Sequence, residues 1–286
     1  MNDTTAVTTA RLPRAYLFVP ADRPERLAKA RAAGADAVIV DLEDAVAPEH
    51  KPAARDALAA ALDPRTPLIV RINGAGTAWF DDDLELCRHP GVAAVMLPKA
   101  EGIDAACAVV ERSFKEVLPL IESARGVEQV QAIARVPGVV RLVFGSVDLS
   151  LDLGIDCAPN GDQQELLLFR SQLVLASRLA GLDPPVDGVS VAIDDMARLQ
   201  ADAEHARRLG FGAKLCIHPR QVAAVQAVFT PSPERLQWAG RVVRGFEAAG
   251  GSVFALEGQM IDRPVYLRAL AMLRSARAPQ VISTGP

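Results

Sequence analysis

Polar and apolar positions alternate along this chain on two scales. Short apolar runs rich in Val, Ile and Leu are separated by stretches in which apolar residues recur at helical spacing. The runs are AYLFVP (15–20), DAVIVDLED (36–44), PLIVRIN (67–73), VAAVMLPK (92–99), VLPLIES (117–123), VRLVFGSVD (140–148), VDGVSVAI (186–193) and FGAKLCIHP (211–219). Their nearly continuous apolar character predicts parallel strands covered on both faces. Segments such as 25–33, 49–62 and 124–136 carry the helical period, with Pro24, Pro48 and Pro219 where a first-turn proline is welcome. Eight strand–helix units predict an α/β fold, a closed (β/α)8 TIM barrel, with an open doubly wound sheet as the alternative. In either case functional groups gather at the carboxyl ends of the strands.

Beyond the eighth unit, PSPERLQWAGRVVRGFEAAG and IDRPVYLRALAMLRSA read as two further helices, the first capped by Ser232 with Pro233 in its opening turn. The connector between them, GGSVFALEGQM, is Gly-rich and apolar and reads as a mobile link. The domain reading is a disordered tail over 1–12, a barrel over 13–230 and a C-terminal helical extension over 231–286.

Composition narrows the function. At 286 residues and 50% hydrophobic, the chain has ample material for one large core. No apolar run reaches the length of a membrane span, and residues 1–12 lack the apolar centre of a secretory signal. The net charge of −4 with no basic cluster argues against nucleic acid. Cys87, Cys107, Cys157 and Cys216 are scattered, without CxxC or nearby His, a pattern that suggests reduced thiols in a cytoplasm.

Two of the apolar runs end in an acid: Glu122 closes VLPLIE and Asp148 closes VVRLVFGSVD. With a helix between them, the strands are parallel and their ends lie side by side. Two carboxylates with no Cys or His beside them suit a hard divalent ion such as Mg2+. The other strand ends are polar too: Asp22 and Arg23, Asp41, Glu43 and Asp44, Arg71 and Asn73, Lys99 and Glu101, and His218. On a strand Asp41 and Glu43 share a face, with Asp44 already in the loop. Lys99 and Lys214 raise a Schiff-base reading, which the acid pair makes redundant.

The motifs LFVPADRPERLAKA, VIVDLEDAVAPEHK, IVRING, LPKAE, PLIES, FGSVDLSLDLG, KLCIHPRQV and EGQMIDRPV, in this order, resemble the citrate lyase β-subunit and malyl-CoA lyase family. The resemblance implies a Mg2+-dependent carbon–carbon lyase that cleaves a β-hydroxyacyl-CoA into an acyl-CoA and a 2-oxo acid. It implies that Glu122 and Asp148 hold the metal and that Arg71 grips the 2-oxo acid. Asp41, Glu43 and Asp44 would stand behind them, orienting Arg71 or metal-bound water. Phe18, Arg23 and Lys29 would lie by the CoA adenine and phosphates, with Ile217 and His218 near the acyl-CoA; Arg26 could equally be a solvated helix residue and is left out. Asp262 would be the acid–base group, carried on a C-terminal lid that covers a neighbouring subunit; an N-cap role is its alternative.

The carrier could be CoA or an acyl-carrier protein, and the substrate a citryl, malyl or citramalyl thioester. Rival readings are an acyl-CoA thioesterase on the same scaffold, a Mg2+-dependent aldolase acting on free hydroxy-oxo acids, and a non-catalytic scaffold subunit. A lid that serves a neighbour implies a homo-oligomer, such as a homotrimer.

Overall fold

The computed structural model describes residues 12–157 and 163–276, so that all but the last residue of the 1–12 tail lies outside the described residues. The chain divides into a barrel unit, Arg14–Phe229, and a C-terminal unit that begins at Thr230.

In the barrel unit the strands are β1 (Ala15–Pro20), β2 (Ala37–Asp41), β3 (Leu68–Arg71), β4 (Val92–Leu97), β5 (Glu116–Ile121), β6 (Val143–Phe144), β7 (Val186–Asp187) and β8 (Ala213–Cys216). They close in sequence order into one barrel in which β1 also pairs with β8, every ladder being parallel. The alternative of an open sheet is thereby excluded. Helices α1 (Arg26–Ala32), α2 (Lys51–Ala61), α3 (Phe80–Cys87), α4 (Ile103–Ser113), α5 (Ala124–Ile133), α6 (Ser146–Leu153), α7 (Leu167–Leu179), α8 (Met196–Leu209) and α9 (Pro219–Phe229) follow the strands.

Alternation along each strand separates two apolar layers. Tyr16, Ile39, Ile69, Met96, Leu118, Leu120, Val186 and Leu215 fill the barrel interior. Their sequence neighbours, among them Leu17, Val40, Val70 and Ile121, pack outward under the helices. The same parity sends Asp41, Arg71 and Glu122 inward, two residues beyond Ile39, Ile69 and Leu120.

Lys214 is one residue out of phase with the inward Ala213 and Leu215, and points outward. It is fully buried, and its Nζ donates to Asp187 Oδ2 at 2.8 Å and to the Gly188 carbonyl at 2.7 Å. Arg170 of α7 donates through Nε to Asp187 Oδ1 at 2.8 Å. Burial would raise the Asp187 pKa, but the two cations outweigh it and hold the carboxyl below its usual range. Lys214 is thus one of two cations in a structural ion cluster on Asp187 rather than an amine open to a substrate.

Several expectations fail, and the strand expected over 186–193 forms only at Val186–Asp187. The run 140–148 is a strand only over Val143–Phe144; the last ladder bond of this edge is Gly145 N–H to the Ile121 carbonyl, and α6 begins one residue later. Val147 and Leu151, which lengthen the apolar run in sequence, are solvent-exposed on that helix. Asp148 therefore sits in the first turn of a helix, not on a strand.

The C-terminal unit holds α10 (Pro233–Ala248), β9 (Phe254–Leu256), β10 (Gln259–Ile261) and α11 (Arg263–Ala276). The expected mobile link is an antiparallel hairpin, with Phe254 opposite Ile261. Its turn residues Glu257 (φ 53°) and Gly258 (φ 77°) are both left-handed, which suits a tight two-residue hairpin. Phe246 of α10 stacks on Tyr266 of α11, ring centroids 4.6 Å apart.

Candidate active site

A cavity of about 720 Å³ opens at the carboxyl ends of the strands. Its wall includes the acids Asp41, Asp44, Glu122 and Asp148 with Arg71, and also Phe18, Arg26, Lys29, Ile217 and His218.

Glu122 follows β5 directly, and 3% of its surface is exposed. Its Oε1 accepts the Lys99 N–H at 2.7 Å. Gly145, at the end of β6, leaves room for the carboxylate: a Cβ built there would lie 2.8 Å from Glu122 Oε2 and closer still to its Cβ. Burial first, and then the charges of Glu43 and Asp148, push the Glu122 carboxyl up to about 8 against the opposing pull of the Lys99 N–H and Arg71. Such a carboxylate is short of positive charge, and a divalent cation shared with Asp148 would supply it. Among the described residues no group of three or more His, Cys, Asp or Glu side chains is arranged to hold a metal. A two-carboxylate site with the remaining positions open is how Mg2+ commonly binds, keeping waters or taking substrate oxygens.

Arg71 is the inward residue that ends β3. Its Nε and Nη2 donate to the two oxygens of Asp41 at 2.7 and 2.6 Å. Its Nη1 lies 2.9 Å from Glu43 Oε2, an ion contact outside hydrogen-bond geometry. Burial would lower the Arg71 pKa, but Asp41 and Glu43 raise it further, so the guanidinium stays charged. The Phe18 ring packs on the same guanidinium, 5.0 Å from centroid to Cζ. That contact gives the ring a place beside Arg71, apart from any role toward an adenine.

Glu43 is buried, which raises its carboxyl, while Arg71 and the Lys99 ammonium counter that shift. The Lys99 Nζ reaches Glu43 Oε1 at 2.6 Å. Lys99 itself has a left-handed backbone (φ 46°), a conformation costing roughly 1–3 kcal/mol outside glycine. Beneath Glu43, the buried Lys51 donates to the Leu42 and Glu43 carbonyls at 2.8 and 2.7 Å and so pins the loop that carries the acids.

Of the wall's cations, Arg26 and Lys29 are one helical turn apart on α1 and both reach the cavity. Arg26, left out of the sequence reading, could have been found from that spacing. Arg23 lies outside the cavity wall, largely exposed and 4.0 Å from Asp22. The Ile217 and His218 N–H groups donate to Gln221 Oε1 at 2.9 and 3.3 Å, fixing the entry to α9. Slight burial and the nearby Arg220 and Lys29 charges lower the His218 pKa.

Asp262 belongs to the C-terminal unit, where its Oδ1 accepts the Val265 N–H at 3.1 Å as the N-cap of α11. Among the described residues, no helix is long and apolar enough to cross a membrane.

A family model described as HpcH/HpaI aldolase/citrate lyase matches residues 14–219. A Mycobacterium tuberculosis protein named citrate lyase subunit beta-like protein is 43% identical over 265 residues, 91% of this chain and 94% of that one. A (3S)-malyl-CoA thioesterase from Cereibacter sphaeroides is 35% identical over 278 residues, 93% of this chain and 95% of that one. The crystal structure of CitE from Mycobacterium tuberculosis, in complex with magnesium, acetoacetate and coenzyme A, aligns with a TM-score of 0.82 at 41% identity, covering 94% of this chain and 99% of that one. With the barrel match spanning most of its length, this chain belongs to the HpcH/HpaI aldolase/citrate lyase family.

Proposed function

We propose that this protein is a Mg2+-dependent carbon–carbon lyase that cleaves a β-hydroxyacyl-CoA of the citryl, malyl or citramalyl type into an acyl-CoA and a 2-oxo acid. The observation that carries the reading is the placement of Arg71, Glu122 and Asp148 on the wall of one cavity that Arg26, Lys29 and His218 also line. The magnesium, acetoacetate and coenzyme A named for the CitE structure support the same ligand classes here.

Glu122 and Asp148 hold the ion, which when bound supplies Lewis-acid polarisation of the substrate's hydroxyl and of the carbonyl that forms from it. Arg71 binds the carboxylate of the 2-oxo acid portion; Asp41 locks one edge of its guanidinium through Nε and Nη2, so little ordering remains to be done on binding. Arg26 and Lys29 face the phosphates of the CoA arm, with Arg23 beyond the cavity wall, and Ile217 and His218 lie along its thioester end. As the carbon–carbon bond breaks, the substrate hydroxyl gives up its proton to a general base and becomes the carbonyl of the 2-oxo acid. The bond's electron pair passes to the thioester fragment, and a carboxylic acid protonates that enolate to give the acyl-CoA, so that one proton leaves oxygen as one reaches carbon. We assign this acid to Asp262, from its EGQMIDRPV motif, delivered by the C-terminal unit of a neighbouring copy in a homo-oligomer. An acyl-carrier protein replaces CoA if the chain works within a larger lyase complex.

Hydrolysis of the thioester on the same scaffold is the second reading, favoured by the malyl-CoA thioesterase relative. Incubation with citryl-, malyl- and citramalyl-CoA plus Mg2+, with products identified by mass, tests both. An acyl-CoA and a 2-oxo acid in equal amounts support the lyase, and free CoA with an intact hydroxy acid supports hydrolysis. No turnover of any of the three defeats both.

A further inference from the structure

Lys99 carries an unusual combination of features for a residue outside the cavity wall. It is a non-glycine residue with a left-handed backbone, in the loop after β4. Its main-chain N–H donates to Glu122 Oε1 at 2.7 Å, and its Nζ donates to Glu43 Oε1 at 2.6 Å. Left-handed backbone outside glycine persists where the surroundings over-determine it. Here the conformation lets one residue touch the acid of the metal pair with its backbone and the acid beside Arg71 with its side chain.

Within the ion-paired chain at that contact, cations and anions are equal in number. Asp41 and Glu43 are two anions and Arg71 and Lys99 two cations, linked in the chain Asp41–Arg71–Glu43–Lys99, with Asp44 and Glu122 as further acids acting on Lys99. Without the ammonium the group would be net negative at the place where an anionic carboxylate is to bind. Glu43 would also keep only Arg71 as a cationic partner and compete with the ligand for its guanidinium.

We propose that Lys99 is a positioning residue that serves the two halves of this site separately: its backbone holds Glu122 for the metal, and its ammonium offsets the charge of Glu43, which also contacts Arg71, so that the guanidinium keeps positive charge for a 2-oxo acid. The inference rests on the function proposed above and adds a determinant of anion affinity to it.

The separation is testable by binding alone. Lys99→Met and Lys99→Gly both keep the N–H and remove the ammonium; glycine also relieves the left-handed backbone, so it guards against a folding defect in the methionine variant. Lys99→Arg restores the charge. Mg2+ affinity, measured by calorimetry on the full chain, is expected to stay within about twofold of wild type in all three variants, as the N–H remains. Pyruvate, glyoxylate or oxaloacetate titrated at saturating Mg2+ is expected to bind on the order of tenfold more weakly to the methionine and glycine variants, with recovery in the arginine variant. Equal oxo-acid affinity in wild type and Lys99→Met overturns the role of Lys99 while leaving the proposed function standing. Parallel loss of metal and oxo-acid binding, or failure of arginine to restore affinity, reduces Lys99 to a structural residue. Absence of oxo-acid binding to the Mg2+-loaded wild type sinks the proposed function and this inference with it.

Discussion

Two of the barrel's buried acids have opposite surroundings. Asp187, behind β7, meets Lys214 and Arg170 at 2.8 Å each, and its carboxyl is held below the usual range. Glu122, at the mouth of β5, accepts a single backbone N–H and is pushed up to about 8, with Glu43 and Asp148 as further anions nearby. Burial alone would raise both. The difference lies in partners: one acid is neutralised by the fold, and the other is left with a demand for positive charge. A fully compensated ion cluster has nothing left to offer a ligand, whereas an uncompensated acid on a cavity wall is poised for a cation.

Replacing each acid breaks that comparison most directly. Glu122→Gln is expected to reduce Mg2+-dependent turnover by roughly a thousandfold or more, as one of two protein oxygen ligands is lost. The variant should fold as well as the parent, which circular dichroism and urea unfolding would check. Asp187→Asn should do the reverse: it strands two buried cations and is expected to cost about 3–5 kcal/mol, read from the urea midpoint. Mg2+ affinity of the molecules that remain folded should not change.

pH separates the two acids by sign. Glu122 has a folded pKa of about 8, above the ordinary carboxylate value of 4.5, so its folded form favours the proton. Its contribution to stability is complete below pH 4.5 and is lost as pH rises toward 8. Asp187 is shifted down from 3.8, so its contribution is present above that value and is lost as pH falls below it. Metal-free wild type should therefore lose more thermal stability between pH 6 and 8 than Glu122→Gln does, and added Mg2+ should remove the difference. A matching pH slope in the two proteins would contradict the Glu122 environment described here.

The smallest expected effect concerns the support of Arg71. Phe18→Leu removes the ring from the guanidinium and should weaken 2-oxo acid binding by about 0.5–1 kcal/mol, roughly two- to fivefold, without affecting Mg2+. An unchanged oxo-acid affinity would leave Phe18 with packing alone.

Much of this arrangement is legible in the sequence, for local reasons. AYLFVP gives β1 without error, since a polar turn follows it directly. Glu122 is legible because it ends a continuous apolar run. Asp148 is placed at the right rim on a mistaken premise: Val147, Leu149 and Leu151 alternate as a strand would, and only the helical backbone exposes two of them. The hairpin after α10 is overlooked because Glu-Gly is a less familiar two-residue turn than Asn-Gly or Asp-Gly, although it satisfies the same backbone requirement. Long-range pairing is not legible at all. Asp187 and Lys214 meet because β7 and β8 pair in that register, and both point away from the barrel interior. The bridge made by Lys99 likewise depends on a left-handed backbone that no local pattern announces.

The central claim is that Glu122 and Asp148 together take up Mg2+. Calorimetric titration of Mg2+ at pH 7, repeated in buffers of differing ionisation enthalpy, tests it most directly. With a carboxyl at about 8, wild type should release close to one proton for each ion bound, and Glu122→Gln and Asp148→Asn should each lose most of that binding. Undiminished binding in either variant, or uptake of the ion by wild type with no proton released, would contradict the account.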